Sequence, residues 1–101
     1  MQNTHAIVHK FAQLVMLYGD DPFISKTISK MVSTKVAKLN KELKLVQQTL
    51  NRLERTYDKK SDIFFKEYQD GTAGDCMDFI EWASLIMMRD RLTAELSALQ
   101  A

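Results

Sequence analysis

The chain has 101 residues, enough for one small domain with a modest core. A hydrophobic share of 46% with 27% charged residues excludes disorder over most of it, and three glycines with one proline leave too few turn formers for a hairpin-rich sheet protein. The formal charge of +1 hides an uneven distribution: residues 22–46 carry six lysines against one acid, and residues 58–81 carry seven acids against three lysines.

The single cysteine, Cys76, cannot close an internal disulfide and is expected to be a small buried residue near a helix start. No secretory leader pattern opens the chain, and the longest apolar run, Leu14 to Tyr18, falls far short of the roughly 20 residues of a membrane span. A cytoplasmic protein with no membrane partner is therefore expected.

In chain order, residues 1–19 predict an N-terminal helix. Asn3 or Thr4 can cap it, Ile7, Val8, Phe11, Leu14, Val15 and Tyr18 return every three or four residues, and Gly19 is expected to stop it in a left-handed conformation. Asp20, Asp21 and Pro22 then read as a cap followed by proline at a first helical position, opening a long helix over 22–58. Within it Val36, Leu43, Leu50 and Tyr57 fall seven apart, and Leu39, Val46 and Leu53 fall seven apart between them. This alternation of three and four is a coiled-coil seam, which needs a second helix from this chain or from another copy.

Ser61 is the expected cap of a short helix over 61–70 carrying Ile63, Phe64, Phe65 and Tyr68 and ended by Gly71. Asp75 and Asp78 are expected to open a C-terminal helix over 75–100, where acids favour the positive end of the helix dipole. That helix is apolar on more than one side: Leu85, Met88, Leu92, Leu96 and Leu99 make one stripe, and Phe79, Trp82 and Ile86 widen it towards another. Trp82 either packs on Phe64 and Phe65 or anchors a partner, as tryptophan and methionine often do where proteins meet.

Catalytic and metal-binding constellations are absent from the pattern. His5 and His9 have the spacing for two ligands of one metal ion but lack a third nearby, and the acid pairs stand where caps are expected. No phosphate loop or nucleophile frame occurs, so no enzyme activity, cofactor or metal is expected. Lys26, Lys30, Lys38, Lys41 and Lys44 fall within about a third of a helix circumference, and Lys38, Lys41 and Lys44 are the candidate nucleic-acid contacts. A solvated face opposite the seam is the competing explanation.

The C-terminal two-thirds resembles small bacterial and archaeal proteins found as the antitoxin-like half of toxin–antitoxin gene pairs. The resemblance runs over about residues 22–99 and is carried by Leu53-Glu54 with Tyr57, by Ser61-Asp62 with Phe64, Phe65 and Gly71, by Gly74-Asp75 with Asp78, and by Phe79-Ile80-Glu81-Trp82. It implies a non-enzymatic protein that binds and restrains a toxin, often as a dimer. The chain departs from the pattern in having a helix where many antitoxins carry a DNA-binding head, and Asp58 where a glycine is usual after the tyrosine.

The expectation is thus an all-α protein in which a long coiled-coil-like helix, a short helix and a returning helix form a helical hairpin behind a short N-terminal helix, in a single domain. A homodimer is expected through the seam of Val36, Leu39, Leu43, Val46, Leu50, Leu53 and Tyr57. Phe79, Trp82 and Ile86 would anchor a toxin-like protein, and Asp75, Asp78 and Glu81 would steer a basic one. The alternatives are a structural coiled-coil adaptor or accessory protein and a helical nucleic-acid-binding dimer.

Overall fold

The computed structural model describes residues 3–101, so the expected start of the first helix at residues 1 and 2 lies outside the described residues. The protein is all-α, with α1 at Thr4–Tyr18, α2 at Pro22–Tyr57, α3 at Ser61–Gln69 and α4 at Met77–Gln100. Contacts group the chain into two units, the residues up to Lys35 and Val36–Ala101, so that α2 contributes to both.

In the first unit, Asn3 caps α1 by accepting the His5 amide at 2.9 Å. Asp21 does the same for α2, its Oδ1 accepting the Phe23 amide at 2.8 Å while Pro22 fills the first helical position. Gly19 corrects the sequence expectation. Its φ of −60° is right-handed, not left-handed, and the turn closes through the Asp21 amide donating to the Tyr18 carbonyl. Glycine is needed here for a different reason, since a Cβ would lie 2.5 Å from the Val15 carbonyl oxygen. None of the residues of α1 is buried.

In the second unit, Leu39, Val46, Leu50 and Leu53 share one buried cluster with Phe64 of α3 and with Trp82, Ala83, Ile86, Leu92 and Leu96 of α4. Val36, Leu43 and Tyr57 are half-buried against it. The helix seam is therefore closed from within the chain, with α4 returning along α2 and α3 packed on α4. Burying each such large side chain contributes about 1.5–3 kcal/mol, so this cluster supplies most of the hydrophobic stabilisation of the unit.

The connections differ in detail from expectation. Asp58 ends α2 in a left-handed conformation, with φ of 49°, and Gly71 and Gly74 take φ of 78° and 99° in the turn between α3 and α4. Lys60, not Ser61, occupies the cap position of α3, and Cys76, not Asp75, that of α4, neither with a side-chain cap bond. Cys76 is exposed, contrary to the buried position expected, because at a helix start it projects ahead of the first packed turn.

Candidate interaction site

The expected partner anchor is the interior of the second unit. Trp82 is fully buried and stacks on Phe64, with ring centroids 3.9 Å apart and planes 3° from parallel. Phe79 lies edge-on to Tyr57 at 5.1 Å, and Tyr57 stacks on the Trp82 ring itself, with centroids 5.8 Å apart and planes 27° from parallel. Ile86 is buried in the same cluster. Trp82 and Ile86 therefore cannot serve as a surface anchor while the core is closed, and the reason is the aromatic supply of α2 and α3: Tyr57 and Phe64 arrive at the indole before any partner does. Phe79 is half-buried in the same packing.

Polar groups lock this arrangement. The indole Nε1–H donates to Ser61 Oγ at 3.0 Å, and the Ser61 amide donates to Glu54 Oε2 at 2.8 Å. Ser61 is thus a buried acceptor for tryptophan instead of a helix cap, and Glu54 of α2 takes over the capping of α3 from a distance of seven residues. That amide holds the Glu54 carboxyl below its ordinary range. The Tyr57 hydroxyl donates to Asp78 Oδ2 at 2.6 Å, which pushes the phenol up to about 12. Asp78 is consequently half-buried and paired, so of the three expected steering acids only Asp75 and Glu81 stand exposed.

What α4 leaves outside is a separate apolar strip. Met77, Ile80 and Met87 are exposed by 79%, 46% and 55%, and with Met88 they fall within about 100° of helix circumference, away from Trp82, Ala83 and Ile86. Glu81 borders its N-terminal end, and the exposed Asp75 precedes α4 by two residues. Ser84 and Arg91 lie on the same arc, Arg91 paired with Glu95 at 3.8 Å. The sequence pattern puts Met77 and Met87 near the Trp82 side, Ile80 only within a motif, and Met88 in the stripe facing α2, whereas Met88 is exposed with the other three. The signal for a separate strip is that α4 carries large apolar residues on all sides, more than one neighbouring helix can cover.

The remaining candidates stay apart from each other. Lys38, Lys41 and Lys44 are exposed on α2, as are Lys26, Lys30 and Lys35, and none of the six forms an ion pair among the described residues. His5 and His9 are exposed on α1, and no group of three or more His, Cys, Asp or Glu side chains converges among the described residues. At the α2–α3 turn Asn51, Glu54, Arg55, Asp58, Lys59 and Lys60 line an open cleft, where Glu54 is committed to Ser61 and Lys59 pairs with Glu67. Among the described residues no helix is long and apolar enough to cross a membrane.

Comparison with protein families, with characterised proteins and with solved structures found no match to this chain. The antitoxin resemblance rests on the sequence pattern alone.

Proposed function

We propose that the chain is a non-enzymatic interaction module of antitoxin type, which binds and neutralises a basic, toxin-like protein in the cytoplasm. The observation that carries the reading is the strip of Met77, Ile80 and Met87 on a helix whose opposite side already fills the core. Exposed methionines adapt to an irregular partner surface, and an apolar strip flanked by acids suits an apolar anchor ringed by cations. In this reading Ile80 and Met87 take the part expected of Trp82 and Ile86, while Asp75 and Glu81 keep theirs.

The backbone at residue 58 lends further support. The antitoxin-like pattern has glycine after the tyrosine, and Asp58 adopts the left-handed conformation that glycine favours, so the departure is one of side chain only. The test is growth on co-expression with the product of the adjoining reading frame. That product alone should arrest growth, this chain should relieve the arrest, and Ile80→Asp with Met87→Asp should abolish relief in a chain that still folds. A harmless neighbour, or relief undiminished by the double substitution, would rule the proposal out.

A further inference from the structure

We infer that the first unit is a self-association surface whose occupant is a second copy of this chain seated on α1. Ile7, Val8, Phe11, Leu14, Val15 and Tyr18 span about a third of the α1 circumference, and their exposures run between 38% and 60%. On the neighbouring part of α2, Ile24, Ile28 and Val32 are half-buried and Met31 is exposed. A short helix and the first turns of a long one, joined by a tight turn, cannot enclose a core, and two such pairs can.

The area fits a dimer. Taking about 200 Å² for a large side chain in full exposure, the six α1 residues leave roughly 550 Å² open on each copy. Met31 with the partly covered Ile24, Ile28 and Val32 brings this towards the roughly 800 Å² per partner of a stable interface.

The charges fit too. The α1 arc itself carries no charge: His9 and Gln13 lie opposite it, His5 and Lys10 border its two edges, and α1 contains no acid. On α2, Lys26 and Lys30 fall on the side away from Ile24, Ile28 and Val32, and the exposed Lys35 falls on their side at the end of the unit. The uncharged α1 arc can meet a copy of itself about a two-fold axis with no like-charge penalty along its length. A lipid surface is the poorer occupant, because interfacial helices carry several cations on the polar side and α1 has Lys10 alone, with Asp20 and Asp21 following at its end.

This inference is independent of the α4 strip, and its test involves no toxin. Sedimentation velocity of the full chain at tens of micromolar should give twice the 11.7 kDa chain mass. Phe11→Asp with Leu14→Asp should give the single-chain mass, with far-ultraviolet dichroism and indole emission unchanged, since neither residue belongs to the buried core. Ile80→Asp with Met87→Asp should stay dimeric. A wild-type monomer, a dimer that survives the α1 substitutions, or an α1-dependent monomer that floats with phosphatidylglycerol vesicles would each overturn it.

Discussion

Truncating Trp82 to alanine is the sharpest perturbation of the core. The indole is fully buried, stacks on Phe64 at 3.9 Å and donates to the buried Ser61 hydroxyl. Removing a buried tryptophan costs about 3–5 kcal/mol through lost burial and the cavity left behind. Ser61 Oγ, itself only 1% exposed, then loses its donor, which adds about 1 kcal/mol. The sum of about 4–6 kcal/mol is comparable with the whole stability of a chain this size, roughly 5–15 kcal/mol. Equilibrium urea unfolding followed at 222 nm should therefore show Trp82→Ala largely unfolded or with a midpoint near zero denaturant. Trp82→Phe and Ser61→Ala should each cost about 1–3 kcal/mol, and their double-mutant cycle should show coupling of about 1 kcal/mol. A Trp82→Ala protein within about 1 kcal/mol of wild type would refute the packing argument and return the indole to the surface.

Other consequences follow from the connections. Asp58→Gly should stabilise the fold by about 0.5–1.5 kcal/mol in the same unfolding assay, because it relieves a left-handed non-glycine residue. Tyr57, whose phenol is raised from 10.0 to about 12 by its bond to Asp78, contributes stability that is complete below pH 10 and lost as pH rises towards 12. Thermal melts across that window should fall less steeply for Tyr57→Phe than for wild type. Glu54, lowered by the Ser61 amide, contributes stability present above its ordinary value near 4.5 and lost as pH falls through its folded value. Glu54→Gln should therefore destabilise the protein at neutral pH and lose that disadvantage in acid.

The helices were legible in the sequence because their signals are local. Heptad spacing gave α2, Asn3 and Asp21 sit where caps belong, and Gly71 carries the positive φ its position suggested. What escaped was long-range. Ser61 has the chemistry of a cap, and only the arrival of Trp82 from 21 residues away makes it a buried acceptor. Asp78 likewise reads as a first-turn acid until the Tyr57 hydroxyl reaches it. The seam pattern says that α2 needs company and is silent on whose, and α4 of the same chain supplies it. Trp82 has two readings in the sequence, packing on Phe64 and Phe65 or anchoring a partner, and periodicity cannot choose between them; α3 brings Phe64 face to face with it.

Val36–Ala101 closes its own interior, so the associations proposed at α1 and at the outer strip of α4 leave the aromatic cluster untouched. The single tryptophan reports on this directly through acrylamide quenching. Trp82 should be equally and strongly shielded in the wild-type chain, in the Phe11→Asp, Leu14→Asp variant, and in the chain bound to its partner. Quenching that rises when the chain is made monomeric, or that drops on partner capture, would place the indole at an interface and contradict the account.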